Sequence, residues 1–103
     1  MKLSKKARAR RRVQAEADAE CRQAVFERDG FKCVFCGSAQ NLQWMHILSR
    51  RDKTIRCDPN NSVVGCAGCH LKWHHEPAIY VPKFIQMYPD RYEYLLAKRR
   101  ERY

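Results

Sequence analysis

The chain begins with a long polar segment in which a few apolar residues recur at helical spacing. Residues 4–29 contain no Gly or Pro and are rich in Lys, Arg, Ala, Glu and Gln, which favours one long helix. The apolar stripe consists of Val13, Ala17, Cys21, Ala24 and Val25. We expect the first turns to be solvated, the second half to pack on the body of the protein, and Asp29-Gly30 to end the helix.

After residue 31 the pattern changes to short apolar runs separated by turn residues. Leu42–Leu48 and Ser62–Val64 predict two short strands, which a polar and irregular connection joins. Ala67–His75 predicts a short helix that ends before Pro77. These elements predict a ββα unit behind the long first helix.

The C-terminal part predicts further helix, over Pro82–Arg102, with an apolar face. Pro89 marks either a break or the first turn of a new helix. The whole chain is expected to be one small α+β domain in three parts. These are a basic N-terminal helix over residues 1–30, a core over residues 31–78, and a C-terminal helical segment with a basic tail over residues 79–103.

Length and charge narrow the class of protein. A chain of 103 residues allows one domain, and its 45% hydrophobic content is too high for a wholly disordered chain. No apolar run approaches the roughly 18 residues of a membrane span, which excludes an integral membrane protein. The basic N-terminus has no apolar region behind it, so we expect no export signal and a cytoplasmic location.

The net charge of +10 lies at the two ends of the chain. Residues 1–12 carry seven positive charges and no negative one, residues 98–102 have a net charge of +3, and the segment between them is neutral. A solubilising tail is the simpler interpretation of one basic terminus, but two basic ends around a neutral middle favour phosphate binding. The expected nucleic-acid contacts at the ends are Arg10, Arg11, Arg12, Arg99 and Arg100.

Two C-x2-C motifs, Cys33-x2-Cys36 and Cys66-x2-Cys69, predict a metal site. Each tight turn presents two thiolates, so together they complete a closed four-sulfur zinc site of the structural kind. A redox pair or two disulfides would explain the duplication less well, and a chain without an export signal is expected in a reducing compartment. Cys21 is expected to be a small buried residue, and Cys57 has no predicted role.

All four histidines lie between residues 46 and 75. His70 and His74 share one face of the predicted short helix, so they could hold one divalent ion. His46 lies in the first predicted strand, and Asn61 leads into the second. Folding the hairpin against the helix would bring His46, Asn61 and His70 together.

These motifs together resemble an HNH endonuclease of the four-cysteine type. The similarity covers about residues 22–76 and rests on Arg28-Asp29-Gly30-Phe31-Lys32-Cys33-x2-Cys36-Gly37, His46, Asn61 and Cys66-x2-Cys69-His70. The segments His46-Ile47-Leu48-Ser49-Arg50-Arg51 and Arg56-Cys57-Asp58-Pro59-Asn60-Asn61 are further similar to phage recombination nucleases of the NinG type.

The resemblance implies a ββα-metal fold, also called a His-Me finger, and metal-dependent phosphodiester hydrolysis. It makes His46 the general base, Asn61 the residue that orients the loop carrying that base, and His70 a ligand of a catalytic Mg2+, Mn2+, Ni2+ or Zn2+ ion. Many members have Asp or a second His immediately before the base, where this chain has Met45, a poor ligand for a hard cation. We expect His74 to supply the second ligand instead.

The sequence therefore predicts a metal-dependent endonuclease that nicks DNA or processes branched DNA, as a monomer or weak homodimer. The alternative is a non-catalytic zinc-knuckle protein that binds nucleic acid with a degenerate HNH site. Arg50 and Arg51 follow the predicted base, where they would either clamp a phosphate or form a solvated loop. Trp44 and Trp73 are expected to be core residues rather than platforms for stacked bases.

Overall fold

A computed structural model describes residues 4–48 and 55–101, with the side chain of residue 101 left out. The elements in chain order are helix α1 (Lys5–Arg28), strand β1 (Leu42–His46), a 3-10 turn (Pro59–Asn61), strand β2 (Ser62–Cys66) and helices α2 (Ala67–His75), α3 (Pro77–Met87) and α4 (Pro89–Glu101). This is the small α+β fold that the sequence predicts. Within the described ranges, no helix is long and apolar enough to cross a bilayer.

Helix α1 forms and packs as its sequence pattern indicates. The Ser4 hydroxyl caps its start by accepting a hydrogen bond from the Ala7 N–H at 3.1 Å. At the other end Gly30 adopts a φ of +71°, a conformation that glycine reaches without strain. Val13 in the first half is 66% exposed, whereas Cys21 and Val25 in the second half are buried. The predicted change from solvated to packed helix is confirmed.

The two strands form an antiparallel hairpin with packed elements on both faces. The register pairs Leu42 with Cys66 and His46 with Ser62. On one face Val64 packs with Cys21, Val25 and Phe26 of α1. On the other face the core contains Met45, Val63, Trp73, Phe84 and Leu95. The hairpin is therefore held between α1 and the C-terminal helices.

Strand β1 is shorter than the predicted Leu42–Leu48, because it ends at His46. Beyond it the Leu48 N–H donates to the side-chain Oδ1 of Asn61 at 2.7 Å, so an amide side chain replaces the partner strand. Strand β2 continues to Cys66, beyond the predicted Val64, since Leu42 pairs with Cys66. The predicted elements are present, and their ends are set by tertiary contacts.

The C-terminal helices begin earlier than the predicted residue 82. Pro77 occupies the first turn of α3, where the missing N–H of proline costs nothing, and Pro82 lies inside the helix. Pro89 starts a new helix, which is the second of the two predicted outcomes. Phe84 and Leu95 are fully buried and carry this part of the core.

The Arg28-Asp29 pair attaches the end of α1 to the start of β2. The Arg28 guanidinium donates to the backbone carbonyls of Pro59 and Ser62, each at 2.7 Å. The Asp29 carboxylate accepts from the Val64 N–H at 3.0 Å and pairs with Arg28 at 2.8 Å. Bonds from charged groups to the backbone are stronger than neutral ones, so these contacts fix where β2 and the preceding turn lie.

Candidate functional site

The four cysteines of the two C-x2-C motifs cluster as the sequence predicts. The Sγ atoms of Cys33, Cys36, Cys66 and Cys69 all lie within 4.8 Å of one another. A tetrahedral zinc ion with Zn–S bonds of about 2.3 Å requires sulfur atoms roughly 3.8 Å apart. The Cys36 and Cys66 Sγ atoms are 3.7 Å apart. The cluster therefore has the donor set and the spacing of a structural metal site that could hold zinc.

Each cysteine pair is placed by a local backbone device. In the first pair the Gly37 N–H donates to the Cys33 carbonyl at 2.8 Å, and Gly37 has a φ of +78° that closes the tight turn. In the second pair Cys66 ends β2 and caps α2, where its Sγ accepts from the Cys69 N–H at 3.4 Å. The site thus joins the turn after α1 to the junction of β2 and α2.

The thiols of the cluster differ in their electrostatic environments. Burial raises the pKa of Cys33, but backbone N–H groups of Cys66 and Cys36 outweigh it and lower the pKa to about 7. Burial, with hydrogen bonds to neighbouring thiols, raises the pKa of Cys69 to about 12. Metal binding deprotonates coordinating thiols, so a divalent cation would compensate the charge that burial disfavours at Cys69.

A second candidate site lies between the end of β1 and helix α2. His46, His70 and His74 line one cavity of about 440 Å3, together with Trp44, Ile47, Leu48 and Trp73. We call this cavity the histidine cleft. His46 reaches it from the last residue of β1, while His70 and His74 reach it from successive turns of α2. The hairpin and the helix thus place the three predicted histidines around one space.

Asn61 holds the loop that follows His46. It is fully buried, and its side-chain amide accepts from the Leu48 N–H at 2.7 Å and donates to the Leu48 and Ile55 carbonyls at 3.1 and 3.3 Å. Its backbone carbonyl accepts from the Ile47 N–H at 2.8 Å. The same amide therefore ties together the residues on either side of segment 49–54, next to His46.

The imidazole of His46 is oriented through Nε2. This nitrogen lies 3.1 Å from the backbone carbonyl oxygen of Arg56. A carbonyl can only accept, so Nε2 carries the proton, and in the neutral ring Nδ1 has the lone pair. The ring also lies 4.3 Å from the Trp44 ring, centroid to centroid. His46 is thereby held in the tautomer in which Nδ1 can take up a proton.

His70 and His74 are arranged as neighbouring imidazoles on one helical face. Their ring centroids are 5.1 Å apart. The His70 Nδ1 donates to the Gln43 side-chain oxygen at 2.6 Å, which leaves Nε2 free for a ligand. Burial lowers the pKa of His70, and the neighbouring His74 lowers it further. Both effects favour the neutral imidazole, which is the form that binds metals.

Met45 contributes packing and not a ligand. Successive side chains of a strand point to opposite faces, so Met45 faces away from His46. It is fully buried, and a Cβ placed on Gly65 would come within 3.1 Å of its sulfur. The close fit leaves little room for a side chain at position 65 unless Met45 shifts. Met45 is not among the residues that line the histidine cleft, and its thioether is a poor ligand for a hard cation.

The structure describes five of the seven arginines that are predicted to contact nucleic acid. Arg10, Arg11 and Arg12 are exposed on the first half of α1, and Arg99 and Arg100 are exposed near the end of α4. Arg50 and Arg51 lie outside the described residues. His75 is exposed at the end of α2. Trp73 is a buried core residue as expected, and Trp44 is partly buried and packs against the core cluster that contains Val64. Both tryptophans border the histidine cleft.

Two polar residues near the cleft were not predicted from the sequence. Asp18 and Arg56 form a two-bond ion pair, with contacts of 2.6 and 3.1 Å. Arg56 also bears the carbonyl that accepts from His46. The one available signal was Asp18, an acidic residue one position from the apolar stripe residue Ala17, and it does not identify its partner.

Comparison of the chain with protein-family models, with curated proteins and with solved structures gives no match.

Proposed function

We propose that this protein is a divalent-metal-dependent HNH endonuclease that hydrolyses DNA phosphodiester bonds. The observation that carries the proposal is that His46, His70 and His74 line one cleft, with the His46 imidazole bonded through Nε2. A general base needs a fixed lone pair, and a metal site needs two or more ligands that converge. The bonded His46 imidazole is our candidate for the base, and the neighbouring imidazoles of His70 and His74 are our candidates for the ligands.

Each residue of the cleft then has a defined role. His46 takes a proton from the attacking water at Nδ1, since Nε2 is engaged by the Arg56 carbonyl. Asn61 fixes the loop after His46, and His70 with His74 would hold a Mg2+, Mn2+, Ni2+ or Zn2+ ion. Such an ion supplies charge neutralisation at the scissile phosphate and at the leaving oxygen. The cysteine cluster would hold a structural Zn2+ ion.

A groove along α1 supports DNA as the substrate. Lys6, Arg10, Arg11 and Arg56 line this groove, which has a volume of about 810 Å3. Positive side chains in a groove bind the phosphate backbone without reading sequence, and they make affinity depend on salt. Arg56 lines the groove, and its carbonyl contacts His46, which lines the histidine cleft.

Replacing Arg10, Arg11 and Arg12 together by glutamine is expected to lower the affinity for DNA and to make that affinity less dependent on salt concentration. Each lost phosphate contact lowers the slope of log K against log salt by about 1. Fluorescence anisotropy with a labelled duplex, measured at several salt concentrations, reports the slope. The single-turnover rate at saturating protein should stay within about twofold, because the cleft is untouched. An unchanged slope would remove the phosphate-binding role of α1.

His74→Ala is expected to lower the affinity of the cleft for Mn2+ by at least tenfold, while His75→Ala leaves it unchanged. Both residues are exposed imidazoles on the last turns of α2, but only His74 lines the cleft with His70. Isothermal titration of protein whose cysteine cluster is loaded with zinc isolates the second site. Equal Mn2+ affinities for the two variants would show that His74 does not compensate for Met45.

A non-catalytic zinc-knuckle protein that binds nucleic acid is the second candidate. The burial of Met45 favours it, because the position that carries a ligand in many related nucleases faces the core here. Supercoiled plasmid separates the two functions. The nuclease proposal predicts intact plasmid in EDTA and nicked circles after addition of at least one of the four cations. Binding without cleavage in all four would favour the second candidate. A cytoplasmic location and a monomeric or weakly dimeric state remain predictions.

A further inference from the structure

The peptide that bonds to His46 is itself held by helix α1. Arg56 Nε and Nη2 donate to the Asp18 carboxylate at 3.1 and 2.6 Å, a paired arrangement that fixes direction as well as distance. The two side chains are only 24% and 18% exposed. A shielded two-bond pair is more rigid than an exposed ion pair, so Arg56 has a defined place on α1.

The next residue is attached to the same helix. Cys57 Sγ donates to Asp18 Oδ1 at 3.2 Å, and the Cys57 carbonyl accepts from Cys21 Sγ at 3.2 Å. Asp18 and Cys21 lie on neighbouring positions of one helical face. Residues 56 and 57 are therefore fixed on α1 by side-chain and backbone contacts, on both sides of the Arg56 carbonyl.

We propose that Asp18 is a positioning residue for His46, acting through Arg56. Asp18 holds Arg56, the Arg56 carbonyl accepts the Nε2–H of His46, and that bond fixes the orientation of an imidazole that lines the histidine cleft. The inference rests on the proposed nuclease function, because it assigns His46 the role of general base. It gives α1 a task beyond phosphate binding: the helix also sets the orientation of the base.

Asp18→Asn tests the proposal with Glu20→Gln as its control. Asparagine keeps the size of the side chain but loses the carboxylate that pairs with both Arg56 nitrogens. Glu20 is an exposed acid on the same helix, so its variant has the same change in net charge. We expect kcat for plasmid nicking to fall about 10- to 100-fold in Asp18→Asn, with KM within about twofold of wild type. Glu20→Gln should retain wild-type kcat.

A spectroscopic measurement tests the positioning without relying on cleavage. In zinc-loaded protein, 1H–15N spectra of the imidazoles should show a His46 Nε2–H proton that exchanges slowly with water, assigned by its absence in His46→Ala. We expect its exchange to be at least tenfold faster in Asp18→Asn and unchanged in Glu20→Gln. If Asp18→Asn does not fold, Arg56→Lys, which keeps the charge and loses the paired geometry, is compared by the same two measurements.

The outcomes separate the two proposals. A wild-type protein that cuts DNA, with Asp18→Asn equal to it in kcat and in proton exchange, overturns the positioning role and leaves the nuclease assignment intact. A wild-type protein that fails to cut DNA with any of the four cations overturns the nuclease assignment. If the protein does not cut, an unchanged exchange rate of the His46 Nε2–H proton in Asp18→Asn also rejects the link from Asp18 to His46. A faster exchange rate supports that link without supporting a role in catalysis.

Discussion

His46→Ala is expected to reduce single-turnover DNA nicking by about 10²- to 10⁴-fold, the usual contribution of a general base. The variant removes the imidazole whose Nε2 is bonded to the Arg56 carbonyl and whose ring borders the histidine cleft. DNA affinity should stay within about twofold, because the groove that we propose for phosphate binding lies along α1. Cleavage of a labelled duplex at saturating protein measures the first quantity, and anisotropy measures the second.

His75→Ala is the matched control for this experiment. It removes the same kind of side chain from an exposed position at the end of α2 and should retain the wild-type rate. Circular dichroism should show equal helix content for both variants. Nicking by His46→Ala at the wild-type rate would mean that the base is another group, and the assignment of this cleft would be wrong.

Cys36→Ser is expected to unfold the protein at room temperature. Cys36 is exposed, so its loss removes little packing, and the effect would come from the missing metal ligand. Structural zinc contributes an apparent free energy of roughly 10–16 kcal/mol in small zinc-binding domains. That free energy is as large as the total stability of about 5–15 kcal/mol that is typical of a folded domain, so its loss is enough to unfold the protein.

Cys57→Ser is the matched control, because it removes a thiol that does not belong to the cysteine cluster. Cys57 is a free, partly buried cysteine outside the cluster, and serine can still donate to Asp18. Far-ultraviolet circular dichroism and zinc content measured by atomic absorption should show loss of helix and of zinc only in Cys36→Ser. A folded Cys36→Ser protein with one zinc ion per chain would contradict the structural role of the cluster.

Local sequence rules predicted the features that depend on neighbouring residues. Helix propensity predicts helix α1, and a glycine after its last turn predicts where it ends. Gly30 has the positive φ, +71°, that such a glycine adopts. The cysteine cluster follows from spacing, because each C-x2-C turn presents two sulfurs to one point. The clustering of Cys33, Cys36, Cys66 and Cys69 is confirmed.

The features that sequence reasoning missed depend on packing between distant segments. Asp18 and Arg56 are 38 residues apart in the chain, and neither has a local pattern that identifies the other. The end of β1 at His46 is set by the Asn61 side chain, which no strand propensity encodes. The close fit between Met45 and Gly65 follows from the hairpin register and appears only when the strands are paired.

The most direct test of the central claim is whether cleavage follows occupancy of the histidine cleft by one cation. Protein with zinc in its cysteine cluster is titrated with Mn2+, and calorimetric occupancy and single-turnover nicking rate are measured on the same samples. We predict that the rate rises in proportion to occupancy of one site and that His70→Ala loses both. A nicking rate independent of Mn2+ occupancy, or absent at full occupancy while DNA binding persists, would contradict the account.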